Sequence, residues 1–263
     1  MWMKRLAVVT LAGLLLAAGT AVAGEKNEQP DVAVVTGGHN YDEEMFPRAF
    51  KRCETLDLTF INHKQFAAML EDGSAAKLEA VVLYSMGQEL NEEQRSAFRE
   101  MLGGGTGLVV LHHALLGYRD WPGFYAGIGG RFFGEETEWK GDTYEQSGYR
   151  HDVAMTVRVA DEEHPITRGM QDFELHDETY NGMWVSPDSR VLLTTDHEAA
   201  DRELTWVKRW NGGRVACIQP GHGAAAFESE PYQKLVHRAM LWVAGKDLEP
   251  DRRSASAGGP TRR

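Results

Sequence analysis

The sequence predicts an α/β protein built on an open, mostly parallel sheet. Short apolar segments with the length of strands alternate with segments whose apolar residues recur at helical spacing. Four such strands are expected in the first half of the chain: Val32–Thr36, Leu56–Ile61, Ala80–Tyr84 and Gly107–Leu111. Strand, helix and strand at this spacing form βαβ units, whose strands run parallel. Glycine and polar residues follow several of these strands, where a parallel sheet binds its ligands.

Helices are expected between these strands. The first, Glu43–Glu54, contains Pro47, which a helix accepts only near its start or at a kink. The second covers His63–Asp72, with apolar residues at helical spacing. The third opens at Asn91, in a sequence that resembles a capping box, and runs to Leu102 before a series of glycines ends it.

The second half of the chain has a different pattern. A short helix should follow Asp120 and end at Ile128. The segment Gly134–Tyr149 is long, polar and aromatic without a clear period, so we expect a functional or disordered loop. Further strands are expected at Asp152–Val159, Arg190–Thr195, Leu204–Trp210 and Arg214–Ile218, and a terminal helix at Pro231–Ala244. Asn211-Gly212-Gly213 should form the hairpin turn between the last two strands.

The two ends of the chain are expected to lie outside the folded domain. Residues 1–23 have the basic start, the apolar centre and the small-residue cleavage signal of a signal peptide. We therefore expect a secreted, periplasmic protein without a membrane anchor after cleavage; an uncleaved N-terminal anchor is the alternative. Residues 246–263 have the composition of a disordered tail.

Charge and cysteine content exclude several classes of function. Removing Lys4 and Arg5 changes the formal charge from −11 to −13, because residues 1–23 contain no acids. An acidic chain without a basic stripe argues against nucleic acid as a partner. Cys53, in the first expected helix, and Cys217, in a late strand, are expected as small buried residues, with a disulfide between them as the alternative.

Histidines follow three of the expected strands and are the main candidates for a site. His39 follows the first strand, His112 and His113 follow the fourth, and His222 follows the strand that ends at Ile218. We expect them to meet at one rim of the sheet, as metal ligands or acid–base groups. Because adjacent residues at a strand end point in opposite directions, only one of His112 and His113 should face the crevice.

Further candidates lie in the second half of the chain. Asp177 and Glu178 offer carboxylates for acid–base chemistry or for hard metal ions, and a solvated turn is the alternative. We prefer Glu178 because Thr179 and Tyr180 follow it. His151 ends the aromatic segment, whereas His164 precedes a proline and is expected to be structural.

Several well-known catalytic signatures are absent from the sequence. There is no Gly-x-Ser-x-Gly elbow and no helical His-Glu-x-x-His, and neither cysteine lies in a strand-to-helix turn. Gly37-Gly38-His39-Asn40 lacks the spacing of a dinucleotide fingerprint, so we expect no nucleotide or flavin. Histidine and carboxylate chemistry, with or without a divalent metal ion, remains.

A set of short segments, in this order, resembles the ThuA-like (trehalose-utilisation) family over residues 31–245. They are Thr36-Gly37-Gly38-His39, Val110-Leu111-His112-His113-Ala114, Gly129-Gly130-Arg131-Phe132, His164-Pro165-Ile166-Thr167-Arg168-Gly169, Asp177-Glu178-Thr179-Tyr180 and Gly221-His222 before Phe227-Glu228. The resemblance implies a flavodoxin-like, three-layer α/β/α fold related to class I glutamine amidotransferases. It also implies a link to disaccharide or oxidised-sugar metabolism. The amidotransferase relatives carry a cysteine after the strand that matches Gly107–Leu111, so glutaminase activity should be absent here.

Together these observations predict an enzyme that acts on a small sugar, such as a keto-sugar glycoside, as a hydrolase, lyase or isomerase. The expected catalytic residues are Glu178, Asp177, His113 and His112. The expected substrate-binding residues are His39, Asn40, His151, Tyr180 and His222. If a divalent metal is bound, its expected ligands are His39, His113 and His222. The alternatives are a non-catalytic carbohydrate-binding module and, third, a purely structural role.

Overall fold

The structure is a computed structural model that describes residues 29–246 and residue 248. The expected signal peptide, residues 1–23, lies outside the described residues, as does almost all of the expected tail, residues 246–263. Within the described part of the chain, the helices are too short or too polar to cross a membrane.

The main sheet has nine strands, and one half of it is parallel. The described residues form thirteen strands, nine of which make this sheet: β1 (Asp31–Thr36), β2 (Asp57–Asn62), β3 (Ala80–Leu83), β4 (Gly107–Leu111), β5 (Gly130–Arg131), β6 (Thr137–Trp139), β7 (Asp142–Tyr144), β8 (Gly148–Val159), β9 (Phe173–Asn181), β10 (Trp184–Val185), β11 (Arg190–Thr194), β12 (Glu203–Trp210) and β13 (Gly213–Ile218). The sheet order is β2-β1-β3-β4-β13-β12-β11-β8-β9, and the first five strands are parallel. This parallel half has the flavodoxin-like strand order, and the predicted fold class is confirmed.

The other half of the sheet is antiparallel. The strands β13, β12, β11, β8 and β9 pair antiparallel in that order, so the sheet as a whole is mixed. The predicted hairpin between β12 and β13 turns at Asn211 and Gly212, whose φ angles of 51° and 95° are both positive. Such a turn matches the twist of the two strands.

Helices cover both faces of the sheet and produce three layers. They are α1 (His63–Glu71), α2 (Glu92–Gly103), α3 (Pro122–Ile128), α4 (Ala224–Glu228) and α5 (Glu230–Val243). The core under α5 contains Val34, whereas the core under α1, α2 and α3 contains Val35. Consecutive residues of β1 enter opposite cores because side chains alternate along a strand. The predicted capping box of α2 is present, since Asn91 and Gln94 each bond the backbone of the other.

The first predicted helix is wrong in type and length. Glu43–Glu54 contains only a short 3₁₀ helix, Phe46–Phe50, with proline in its first turn. Pro47 has no backbone N–H to donate and is compatible only with the start of a helix, so the chain before it is not helical. Cys53 consequently lies after this helix rather than within it, and both it and Cys217 are buried and free, which excludes the alternative disulfide.

The segment Gly134–Tyr149 is more ordered than the sequence indicated. It contains the two-stranded hairpin of β6 and β7, joined by Lys140 and Gly141 with φ angles of 57° and 96°. It ends in the start of β8, which begins at Gly148 instead of Asp152. The three-residue strands are too short to show a period in the sequence.

Candidate functional site

The imidazoles of four histidines meet at the carboxyl ends of β1, β4 and β13. The ring centroids of His39 and His113 are 3.8 Å apart, and those of His112 and His113 are 4.5 Å apart. His222 lies 5.4 Å from both His112 and His113. Parallel strands end at the same rim, so residues that follow them in the sequence become neighbours in space.

Both His112 and His113 belong to this cluster, so the expectation that only one of them would face the crevice is wrong. The strand β4 ends at Leu111, and a 3₁₀ helix begins at His112. His112 has a φ of 41°, in the left-handed region that side chains other than glycine rarely adopt. This turn replaces the alternation of a strand and directs both rings to one side.

Four side chains of the cluster could hold a metal ion. One ligand atom from each of His112, His113, Glu178 and His222 lies within 4.8 Å of all the others. His112, His113 and Glu178 are buried and His222 is half-buried. Two of these residues, His113 and His222, were expected as ligands; His39 stands outside the group and packs against His113 instead.

The orientation of His112 is set by a backbone carbonyl. Its Nδ1 lies 2.6 Å from the carbonyl oxygen of Gln219, which can only accept, so Nδ1 carries the proton and donates. Its Nε2 faces the cluster, 2.9 Å from the Tyr180 hydroxyl and 3.2 Å from Glu178 Oε1. An imidazole held in this way by its other nitrogen is typical of metal ligands.

Glu178 lies among three imidazoles. Its Oε2 is 2.7 Å from His151 Nδ1 and 3.9 Å from His222 Nε2, and its Oε1 contacts His112. Burial alone would raise the pKa of Glu178, but the hydrogen bond from His112 and the nearby histidine charges hold it below its ordinary value. The site therefore favours a carboxylate.

An irregularity in β8 brings His151 to Glu178. The pairing with β9 shifts between Arg150 and Val153, and Asp152 has a φ of 56°. Bulges commonly redirect a side chain next to an active site. His151 remains 54% exposed, so it connects the buried carboxylate to solvent.

Asp177 has a different role from the catalytic one expected for it. Its carboxylate accepts from the backbone N–H groups of Gly221, His222 and Gly223, at 2.5 to 3.2 Å. Burial raises its pKa, against the opposing effects of the His112 charge and these hydrogen bonds. Asp177 holds the turn that presents His222. The alternative of a solvated turn is wrong for both acids, because they are buried in β9.

Two imidazoles of the cluster have a buried nitrogen without a hydrogen-bond partner in the described part of the chain. These atoms are His113 Nδ1 and His39 Nε2. Burial, followed by the charges of His112 and other nearby histidines, lowers the pKa of His113; burial and the charges of His112 and His222 lower that of His39 to about 4. Burial and the charge of His112 lower the pKa of His222 as well. His39, His113 and His222 are therefore favoured as neutral imidazoles, which is the state that binds metal ions.

Three further residues differ in their relation to the cluster. Asn40, expected to bind substrate, is exposed. His164 is structural as expected, since its Nδ1 accepts from the backbone N–H of Ile166. The sequence interpretation missed Tyr84, whose ring lies 5.1 Å from His39 and whose hydroxyl donates to the Gly221 carbonyl. Its position at the end of the third predicted strand was the signal that could have identified it.

Comparisons with known proteins agree with this architecture. A family model described as ThuA, trehalose utilisation, matches residues 31–243. A ThuA-like protein from Parabacteroides merdae ATCC 43184 superposes with a TM-score of 0.70 at 19% identity, covering 85% of this chain and 93% of that one. A ThuA-like protein from Bacteroides uniformis ATCC 8492 gives 0.62 at 19% identity, covering 87% and 97%. A cytoplasmic protein from Salmonella typhimurium LT2 gives 0.58 at 12% identity, covering 81% and 99%. No curated protein sequence matches the chain.

Proposed function

The chain belongs to the ThuA family, and from this premise we propose that it is a metal-dependent enzyme of carbohydrate metabolism. The proposed metal ligands are His112, His113, His222 and Glu178. The observation that carries the proposal is the convergence of four ligand atoms within 4.8 Å in a largely buried group. Burial removes the hydration of imidazole nitrogens and of a carboxylate. This costs free energy unless the groups are hydrogen-bonded, paired with a charge or bound to a metal ion.

The ligand set favours a first-row transition metal ion. Imidazole nitrogens suit zinc, iron, nickel and copper, whereas magnesium and calcium prefer oxygen ligands. The Gln219 carbonyl that orients His112 supports the same interpretation, since it leaves Nε2 directed at the cluster. A divalent ion bound here would polarise a carbonyl or hydroxyl group of the substrate.

Proton transfer uses His151 together with Glu178, which has this role in addition to its place among the ligands. Glu178 Oε2 and His151 Nδ1 lie 2.7 Å apart, so this pair runs from the buried cluster to the half-exposed imidazole. This pair can accept a proton in the cleft and release it to solvent. In a keto-sugar, the C–H bond next to the carbonyl is the acidic one, so proton abstraction from a keto-sugar glycoside suits the arrangement. Tyr180 stabilises the position of His112 through its hydroxyl.

A secreted location and a sugar substrate are part of this proposal. The signal-peptide pattern of residues 1–23 supports a periplasmic enzyme. The description of the family model, trehalose utilisation, supports a saccharide as the substrate class. A carbohydrate-binding module without turnover is the second candidate, and the convergence of the imidazoles favours the enzyme over it.

Metal analysis followed by a turnover assay tests the proposal. The purified protein should contain about one transition-metal ion per chain. The metal-loaded protein should then convert a member of a panel of glucose, trehalose, maltose and their keto derivatives, and a chelator should abolish this turnover. Protein that binds none of the first-row divalent ions, or turnover that survives their complete removal, would overturn the proposed metal centre.

A further inference from the structure

An exposed aromatic ring lies at the edge of the proposed active site. Tyr149 is 62% exposed, and Phe60, at 45%, is the other large hydrophobic side chain classed as exposed in the described part of the chain. The Tyr149 ring buries little surface in the core, so its position is not explained by a contribution to folding. Single exposed hydrophobic residues are common, and position decides whether one has a function.

The strand pairing places Tyr149 on the same side of the sheet as the histidine cluster. Tyr149 in β8 lies directly opposite Tyr180 in β9. Side chains of directly opposed residues project from the same face. The Tyr180 hydroxyl reaches His112 in the cluster. The two tyrosines therefore occupy one face, with Tyr180 buried inside the site and Tyr149 exposed at its border.

Ring contacts connect Tyr149 to the cluster. Its ring centroid is 5.3 Å from that of His151, and His151 is in turn 5.0 Å from His222. His151 Nδ1 also lies 2.7 Å from Glu178 Oε2. A ligand group that reaches the cluster past His151 consequently passes next to the exposed ring of Tyr149.

We propose that Tyr149 is the stacking platform of a sugar-binding subsite, which holds the sugar unit next to the one that reacts. This inference rests on the proposed function and adds to it a substrate with at least two sugar units. The C–H face of a pyranose ring is apolar, and covering the Tyr149 ring with it removes apolar surface from water. A flat, rigid ring with a hydroxyl at its tip suits a ligand that is apolar on one face and polar at its edge.

The test compares saccharide binding by the metal-loaded protein and three variants in isothermal titrations. The probes are glucose, maltose, trehalose and the keto derivatives of these sugars. Tyr149→Ala should weaken binding of a disaccharide by about tenfold, and Tyr149→Phe, which keeps the ring, by no more than about twofold. Binding of a monosaccharide should change less than binding of a disaccharide, because the proposed subsite holds the second unit.

Phe60→Ala is the matched control. Phe60 is the other exposed large hydrophobic residue, and it lies on β2 at the opposite edge of the nine-stranded sheet. The Phe60→Ala variant should bind saccharides like the wild type. Metal content should be unchanged in all three variants. Where a substrate is turned over, Tyr149→Ala should raise KM and leave kcat nearly unchanged.

The outcomes separate this inference from the proposed function. Disaccharide binding that is the same in Tyr149→Ala as in the wild type overturns the subsite and leaves the enzyme proposal intact. An equal loss in Phe60→Ala also overturns it, since the effect would then be general. Binding that depends on Tyr149 without turnover of any probe supports the subsite and favours the binding module over the enzyme. A wild-type protein that binds no saccharide of the panel overturns both.

Discussion

The consecutive residues Asp177 and Glu178 bind different kinds of partner. The Asp177 carboxylate accepts from the backbone of the turn Gly221-His222-Gly223, whereas the Glu178 carboxylate contacts the imidazoles of His112, His151 and His222. Side chains alternate along β9, so one acid is available to hold the turn and the other to enter the cluster. Their substitution should therefore have different consequences.

Replacing Glu178 by Gln should abolish most activity and leave the fold largely intact. The amide keeps the shape but removes the charge, the base and a strong metal ligand. We expect turnover to fall by about 100-fold or more and metal content to decrease. Turnover, metal content and circular dichroism are the measurements. Near-normal turnover in this variant would show that the carboxylate is structural and would move the role of base to a histidine.

Replacing Asp177 by Asn should instead destabilise the protein. One of the two carboxylate oxygens becomes an NH₂ group, which cannot accept from the buried backbone N–H groups of the turn. We expect the free energy of unfolding to fall by about 1–3 kcal/mol in urea titrations. Asp196→Asn is the control, since Asp196 is exposed and pairs with Arg158; it should cost no more than about 0.5 kcal/mol. Equal stability of the two variants would contradict the anchoring role.

Single histidine substitutions should divide the cluster into ligands and neighbours. His113→Ala should lose bound metal, because His113 contributes to the four-residue group and its Nδ1 is free of hydrogen bonds within the described chain. His39→Ala should retain a metal ion, because His39 packs on His113 outside that group. His176→Ala, an exposed position in β9, is the control. Metal retained in His113→Ala and lost in His39→Ala would reverse the assignment.

Buried His63 should make the protein sensitive to acid. Burial lowers its pKa to about 4 in the folded state, below its unfolded value of 6.5. Its contribution to stability is therefore fully present above pH 6.5 and is lost as the pH falls through the folded pKa, because the unfolded state binds the proton more tightly. His63→Met should reduce the loss of unfolding free energy between pH 7 and pH 4.5 by about 2 kcal/mol. Urea titrations at the two pH values measure it; an unchanged difference between wild type and variant would contradict it.

The protein should have no glutaminase activity. His112 and His113 follow β4, and both cysteines are buried, with burial raising the pKa of each thiol. Such thiols are poor nucleophiles at neutral pH. Ammonia release from glutamine is the measurement, and none should be detected above the rate without protein. Release that persists through purification and disappears when Cys53 or Cys217 is replaced would overturn this expectation.

Much of the parallel half of the fold could be predicted from local pattern. The strands β1, β3 and β4 are short apolar segments, and Asn91 and Gln94 form the cap that their spacing indicated. The strand β9 was missed altogether, and two other predictions failed where a single residue or a turn overrides the pattern. Pro47 shortens the first helix, and the hairpin of β6 and β7 is too short to have a period.

The strand pattern predicted which strands are followed by histidines, and hence that His39, His222 and one of His112 and His113 would meet at one rim. βαβ spacing specifies the direction of β1 and β4. The direction of β13 depends on its pairing, because it follows β12 through an antiparallel hairpin and lies parallel to β4. Which side chains are in contact depends on the tertiary structure. His112 and Glu178 are 66 residues apart in the chain, and their contact depends on the register of β9 and on a turn at His112. Likewise His151 reaches Glu178 through an irregularity in β8. Local periodicity encodes helices and strands, whereas register and bulges follow from packing between distant segments. Register and bulges set the distances between the side chains of a site.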